Sequence, residues 1–159
     1  MGKTRVRALA GAAIVVMAAS LVGVMSPAGA TAIGEEGCTP GYWKNHTTNW
    51  EEYTPGITLG SQFVFPAQLS GFGSQTMLQA LAGGGGPGAG GAATILMRAA
   101  VAAYLNAAHE GLGYPYRRFV DPFNIHAQVN AALASLDRDA MLQLATTLDT
   151  ANNLGCPLS

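Results

Sequence analysis

Two cysteines, Cys38 and Cys156, are the only ones in the chain of 159 residues, and they lie near opposite ends of it. A bond between them would close most of the chain into one ring and so restrict the folds open to it. A free nucleophilic thiol or a metal ligand is the alternative, but the sequence has no Cys-x-x-Cys pair and no Cys/His cluster. The choice between these depends on the redox compartment.

The N-terminal segment, residues 1–30, has the organisation of a secretory signal peptide. Three basic residues precede an apolar run over residues 8–25, and small residues ending at Ala30 then form an A-x-A cleavage site. An uncleaved membrane anchor is the alternative, because the run is close to the ~20 residues that cross a bilayer. The small residues directly after the run favour cleavage, so we predict a mature protein that is secreted or associated with the cell surface.

Export changes both the chemistry and the charge of the chain. An oxidising compartment favours a disulfide between Cys38 and Cys156. Three of the eight basic residues leave with the signal peptide, so five basic residues face nine acidic ones and the mature net charge is −4. Nucleic acid is not an expected partner of such a chain, because it normally requires a basic stripe. After cleavage no further hydrophobic run predicts a membrane span.

The first part of the mature chain, residues 31–73, is predicted to form an irregular, aromatic N-terminal cap. Prolines and glycines interrupt its short apolar runs and are incompatible with long helices. Ser74 can then cap a short helix that ends at Gly83. The glycine-rich stretch of residues 83–91 predicts a flexible linker, or a loop that needs no side chains. No Gly-Lys-Ser/Thr follows it, so a phosphate-binding loop is not predicted.

A longer helix is predicted from Thr94 to His109. It is apolar around nearly its whole circumference, as expected for a helix in the middle of a bundle. A membrane span is the alternative, but Arg98 and the length of about 16 residues oppose it. If Arg98 is buried, it needs a carboxylate partner, for which Asp149 and Asp121 are candidates. If it faces solvent, the helix has one exposed edge.

Two amphipathic helices are predicted to follow. Asn124 can cap one of them and Asp137 the other, and their apolar stripes can share a seam with the central helix. We therefore predict an all-α fold: a small bundle of about four helices over residues 74–159, forming one folding unit with the cap of residues 31–73. The disulfide would close this unit at its ends.

The most unusual motif is Cys-Thr-Pro-Gly-Tyr-Trp-Lys-Asn-His at residues 38–46. Two tryptophans and two tyrosines lie within residues 42–53, in a chain with twelve aromatic residues. These rings and their polar neighbours could hold a sugar or another small ligand. The favoured interpretation is a small apolar core beneath the disulfide, because buried aromatic rings supply much of the apolar area that a small domain needs. The candidate ligand-binding residues are Tyr42, Trp43, Lys44, Asn45, His46 and Trp50.

Residues 38–46 resemble the C-T-x-G-Y-W-K-N-H signature near the start of a group of secreted bacterial proteins. The likeness extends along the chain to Leu59-Gly60, Leu105-Asn106, Leu148-Asp149 and Asn152-Asn153. The resemblance implies an extracellular or surface-associated domain and brings no established activity with it. The glycine-rich stretch is longer than the resemblance leads one to expect.

No catalytic or metal-binding set is recognised in the sequence. His46, His109 and His126 lie far apart, and none belongs to an H-E-x-x-H motif. A Gly-x-Ser-x-Gly elbow is also missing. We therefore predict no catalytic residues, no metal and no cofactor. Two adjacent pairs of charged residues are interpreted as solvated loop positions: Glu51, Glu52, Arg117 and Arg118.

These observations favour a secreted, non-enzymatic structural or cell-surface interaction domain. Its expected partner is an envelope or extracellular protein, or a glycan. The alternative is a module that binds carbohydrate or another small ligand through the N-terminal aromatic cluster. A hydrolase whose site is assembled from distant residues is the least favoured hypothesis, because no motif organises such a site.

Overall fold

The computed structural model describes residues 34–120 and 123–158, so the predicted signal peptide lies outside the described residues. The described chain is helical and contains no β-strand, which confirms the predicted all-α fold class. Its helices are α1 (Pro40–Asn45), α2 (Met77–Leu81), α3 (Gly88–Ala108), α4 (Ile125–Ser135) and α5 (Arg138–Asn152). Three short 3₁₀ segments connect α1 to α2: Thr47–Asn49, Leu59–Ser61 and Ala67–Ser74.

Helix α3 lies at the centre of the fold and contacts α1, α2, α4 and α5. Of its 21 residues, 13 are buried, many of them alanines. Small side chains let neighbouring backbones approach closely, while Leu96, Met97 and Leu105 fill the remaining space. The prediction of a bundle around one apolar helix is confirmed.

By length and composition alone, α3 could also cross a membrane, because an 18-residue window within it has a mean hydropathy of 1.3. In the structure, 61% of that window is buried inside the domain. Core helices of globular proteins share this apolar character. The four helices packed around α3 account for its apolar surface.

Helix α3 begins at Gly88, six residues before the predicted start. Its first turn packs tightly, since a Cβ atom at Gly91 would overlap the carbonyl oxygen of Gly86. The Arg138 guanidinium donates to the carbonyl oxygens of Gly86 and Gly88, both at 2.9 Å. Residues 88–91 of the glycine-rich stretch therefore belong to α3, because packing overrides the low helix propensity of glycine, whereas residues 83–87 form the predicted loop between α2 and α3.

Helices α3 and α5 lie side by side and run in the same direction. Arg138 joins their first turns through Gly88, and a bond between Asn106 and Asn152 joins their last turns. Parallel neighbours require a long connection, and residues 109–137, which include α4, supply it. The C-terminal turns of the two helices consequently meet at one end of the molecule.

The predicted caps of α4 and α5 are present. The Asn124 side chain accepts a hydrogen bond from the backbone N–H of Ala127 at 3.1 Å. The Asp137 carboxylate accepts two, at 2.8 and 3.0 Å, from the N–H groups two and three residues later. Leu136 adopts a left-handed conformation with φ of 54°, so α4 and α5 are joined by two residues only.

The cap of α2 differs from the prediction by two residues. Thr76, not Ser74, is the N-cap, and it forms a reciprocal capping box with Gln79 at 3.2 and 2.8 Å. The Ser74 hydroxyl instead donates to the carbonyl oxygen of Gly71 at 3.1 Å. Both residues are of a type that favours N-caps, and only Thr76 has a glutamine three residues later.

Candidate functional site

The aromatic motif forms helix α1, which is only six residues long. Thr39 caps it by accepting a hydrogen bond from the backbone N–H of Tyr42 at 3.1 Å, and Pro40 occupies the first helical position. This short helix directs Trp43 into the protein and leaves Lys44 exposed. The motif therefore has an inner and an outer face.

Trp43 has no exposed surface, and its indole donates to a buried asparagine. The Nε1–H of Trp43 donates to Oδ1 of Asn106 at 3.0 Å. The backbone N–H of Cys38 donates to the same oxygen at 2.8 Å, and Nδ2 of Asn106 donates back to the Cys38 carbonyl at 2.9 Å. One side chain from α3 thus holds the motif at two of its residues.

A second buried asparagine completes this arrangement. Nδ2 of Asn106 also donates to Oδ1 of Asn152 at 2.9 Å, and the Tyr114 hydroxyl donates to that oxygen at 2.8 Å. Nδ2 of Asn152 donates to the Ala99 carbonyl at 3.0 Å. Buried polar groups that are fully paired rigidify a core. Cys38, Trp43, Asn106, Tyr114 and Asn152 are called the asparagine network below.

The predicted disulfide between Cys38 and Cys156 is present. It is accompanied by an antiparallel bridge in which the N–H of Gly37 donates to the carbonyl of Gly155 at 3.0 Å. A Cβ atom at Gly37 would overlap the Ala151 carbonyl, so glycine is required where this segment crosses the end of α5. The aromatic motif is thereby joined to the C-terminal tail and to both long parallel helices.

The remaining candidate ligand residues lie on the outer face of the motif. Tyr42 and His46 stack with ring centroids 4.2 Å apart, and Nδ1 of His46 lies 2.9 Å from the Tyr42 carbonyl. Nε1 of half-buried Trp50 donates to the Trp43 carbonyl at 3.0 Å. Lys44, Asn45 and His46 are exposed. Since Trp43 is buried, it forms no ligand platform with Trp50 in this structure.

The acidic and basic pairs that were interpreted as solvated are partly joined to each other. Arg118 forms two hydrogen bonds to the Glu52 carboxylate, at 2.7 and 2.8 Å, and one to the Tyr53 hydroxyl at 2.8 Å. The hydrogen bonds from Arg118 lower the pKa of the Glu52 carboxyl. Glu51 lies 3.5 Å from Nε2 of His109. Glu52 is exposed, as expected of a solvated turn, whereas the Arg118 side chain is only 17% exposed and the ion pair between them was not predicted.

Large apolar side chains are exposed in this part of the fold, and the Phe119 ring centroid lies 5.6 Å from the Arg118 guanidinium. Val64, Phe119 and Val120 are 71%, 56% and 65% exposed, respectively. The Phe119 ring lies 5.6 Å from the His126 ring, and His126 is bonded to Asn130, whose side chain accepts the N–H of Val64 at 2.9 Å. The backbone of Val64 and the ring of Phe119 thus both contact side chains of α4. Val64, Phe119 and Val120 are called the apolar patch below.

No three His, Cys, Asp or Glu side chains within the described ranges come together as a possible metal site. His46, His109 and His126 each have a separate partner in the fold: the Tyr42 carbonyl, Glu51 and Asn130, respectively.

The roles of Asn106 and Asn152 were not predicted from the sequence. Both lie in the segments where the likeness to the secreted bacterial proteins extends along the chain, but that likeness assigns them no role. The available signal was one amide side chain within a helix that is otherwise apolar near its C-terminal end. A buried amide in such a place needs partners, and the aromatic motif supplies them.

No protein-family model matches this chain, and neither a curated protein nor a solved structure was found to match it.

Proposed function

We propose that the mature protein is a secreted, non-enzymatic domain that acts by binding an envelope or extracellular protein. The observation that carries this proposal is that several of its reactive side chains are already bonded or paired with other residues of the fold. Cys38 is in a disulfide, Glu52 is paired with Arg118, and Glu51 lies beside His109. The predicted signal peptide supports export, and a disulfide is typical of oxidising compartments.

The apolar patch is the proposed contact surface. Exposed clusters of large apolar side chains are typical of interaction sites, whereas single ones are common on any surface. Next to Phe119, Glu52 and Arg118 neutralise each other through two hydrogen bonds. The surface is therefore suited to a protein partner that presents an uncharged, apolar face.

Affinity capture with the oxidised mature protein as bait tests this proposal. Envelope and culture fractions of the producing organism are compared for wild type and for a Val64→Ser/Val120→Ser variant. We expect the variant to lose at least about tenfold in affinity, which is about 1.4 kcal/mol, because two exposed contacts are removed. The matched control is Leu154→Ser, which removes an apolar side chain that is 44% exposed outside the patch.

Equal capture by wild type and the double variant would contradict the patch as the contact surface. A protein that stays monomeric and captures nothing saturably from either fraction would contradict the interaction function itself. Loss of capture by Leu154→Ser to the same degree would show that the effect is not specific to the patch.

The carbohydrate alternative now rests on a smaller set of groups. Trp43 is inaccessible, so a sugar would have to contact Trp50, the Tyr42–His46 stack and the exposed Lys44 and Asn45. Glycan-array binding that is lost in Trp50→Ala and retained in Leu154→Ser would favour this alternative over the protein partner.

A further inference from the structure

A groove bordered by α1, α2, α3 and α5 contains charged, polar and apolar side chains. One part, with a volume of about 450 Å³, lies between α3 and α5, and an adjoining part of about 360 Å³ lies between α1 and the end of α2. Arg98, Asp149 and Asn153 line both parts. Volumes of this size are typical of small-molecule sites. Together the two parts are called the α3–α5 groove.

Two basic residues line this groove, and they differ from the other basic residues of the mature chain. Arg117 donates to the Tyr114 carbonyl, Arg118 binds Glu52, and Arg138 donates to two glycine carbonyls. Lys44 and Arg98 have no hydrogen-bond acceptor and no carboxylate within 4.0 Å among the described residues. In a domain of net charge −4, the two cations that have no partner among the described residues therefore face the same groove.

The charge of the groove indicates what kind of anion it can accept. Asp149 also lines the groove. The sequence suggested it as a partner of Arg98, but the two side chains form no ion pair. The other suggested partner, Asp121, lies outside the described residues. Two cations and one carboxylate leave one positive charge. A single carboxylate group balances that charge, whereas a doubly charged phosphate or sulfate would leave one negative charge unbalanced.

The part of the groove between α3 and α5 has a mixed lining, in which four apolar residues lie together beside polar ones such as Thr146 and Thr150. Ile95 and Ala99 of α3 face Leu142 and Ala145 of α5 across it. Both alanines are 3% exposed, so their small side chains lie at the bottom of this part of the groove. An apolar chain in this part and a carboxylate near Lys44 and Arg98 would together occupy the groove.

We propose that the α3–α5 groove binds an amphiphilic carboxylate, that is, a single carboxylate group attached to an apolar chain. Arg98 and Lys44 bind the carboxylate. Asp149 weakens the binding of any anion and limits the net positive charge of the site to one. The apolar chain lies over Ala99 and Ala145. This site is independent of the apolar patch and of the proposed protein partner.

This proposal is tested by titrating the oxidised mature protein with decanoate below its micellar concentration. Amide chemical shifts measured by NMR report the binding. We expect saturable shifts at Ala99, Ala145 and Asp149, and none of similar size with decanol. Arg98→Gln and Lys44→Gln should each weaken binding at least tenfold, because each removes one of the two cations. Asp149→Asn should tighten it severalfold, since a repulsive carboxylate is removed.

The matched control is Arg138→Gln, which removes the same charge from outside the groove and should leave the affinity unchanged. The Val64→Ser/Val120→Ser variant should also bind decanoate with wild-type affinity. Failure of the proposed protein-binding function can therefore be distinguished from failure of the groove proposal. If Arg98→Gln does not fold, Lys44→Gln still tests the proposal, because Lys44 is exposed and its substitution should leave the fold intact. Equal affinity for decanol, or equal affinity of Lys44→Gln and wild type, would overturn the proposal.

Discussion

At the residue scale, one amide side chain determines how the aromatic motif is held. Asn106 uses its oxygen for Cys38 and Trp43 and its nitrogen for Cys38 and Asn152, all within a fully buried site. Each of these groups would be desolvated without a partner if the amide were absent. Unpaired buried groups cost about 1–3 kcal/mol each, so the network depends on this residue more than on any single bond.

We expect Asn106→Ala to lower the free energy of unfolding by more than about 4 kcal/mol, because it leaves several buried groups of Cys38 and Trp43 unpaired. Urea unfolding followed by circular dichroism measures this. The control is Asn45→Ala, whose exposed side chain donates only to the Gly41 carbonyl; it should change stability by less than about 0.5 kcal/mol. Similar effects of the two substitutions would contradict the role of the network.

A second prediction at this scale concerns Tyr114 and the dependence of protein stability on pH. Burial raises the pKa of its hydroxyl well above the ordinary value of 10.0. Above pH 10 the unfolded chain loses this proton while the native protein keeps it, so stability falls as the pH rises, by up to about 1.4 kcal/mol per pH unit for one tyrosine. The Tyr104 hydroxyl, whose pKa burial also raises, acts in the same direction.

Urea unfolding at several pH values between 9 and 11 measures this slope. Tyr114→Phe should be less stable at pH 7, since it loses the bond to Asn152, and its stability should fall less steeply above pH 10. An unchanged alkaline slope in Tyr114→Phe would show that this hydroxyl titrates normally in the native protein.

At the element scale, the sequence was informative wherever local chemistry decides the structure. The caps at Asn124 and Asp137 and the apolar central helix were predicted, because capping side chains and apolar periodicity act over a few residues. The start of α3 was missed, since glycine propensity opposes a helix and only contacts with Gly86 and Arg138 explain it. The pairing of Glu52 with Arg118 was also missed. These two residues are 66 positions apart, and local sequence patterns do not show which distant residues meet.

The first turn of α3 gives a matched pair of glycine substitutions. Gly91→Ala should destabilise the protein, because the new methyl group would overlap the Gly86 carbonyl. Gly90→Ala has nothing within 4 Å of the new methyl group and should stabilise it by roughly 0.5–1 kcal/mol through helix propensity. Thermal unfolding of both variants measures the difference. Stabilisation by both substitutions would mean that the stretch is a loose linker after all.

At the scale of the whole molecule, the disulfide and the asparagine network close the same end of the bundle. The disulfide joins residues 118 positions apart, and in the chain-entropy model a loop of this length is worth up to about 5 kcal/mol. Cys38 is buried beside the network, whereas Cys156 is exposed. The covalent and the hydrogen-bonded closures therefore share Cys38 but act through different atoms.

We expect a Cys38→Ser/Cys156→Ser variant to unfold at lower temperature than the oxidised protein and to keep its helical circular dichroism at low temperature. The contacts of α3 with α5 and the backbone bonds of residue 38 to Asn106 do not require the disulfide. Loss of helicity at low temperature would show that the bundle depends on covalent closure. An unchanged melting temperature would show that the disulfide adds no stability.

The central claim is that the aromatic motif is an internal part of the fold, with Trp43 buried against Asn106. The chain has two tryptophans, so a Trp50→Phe variant reports on Trp43 alone. Acrylamide quenching of its fluorescence tests the claim most directly. The structure requires a blue-shifted emission that acrylamide quenches weakly and that becomes red-shifted and strongly quenched on unfolding. Strong quenching of a red-shifted emission in the native protein would contradict it.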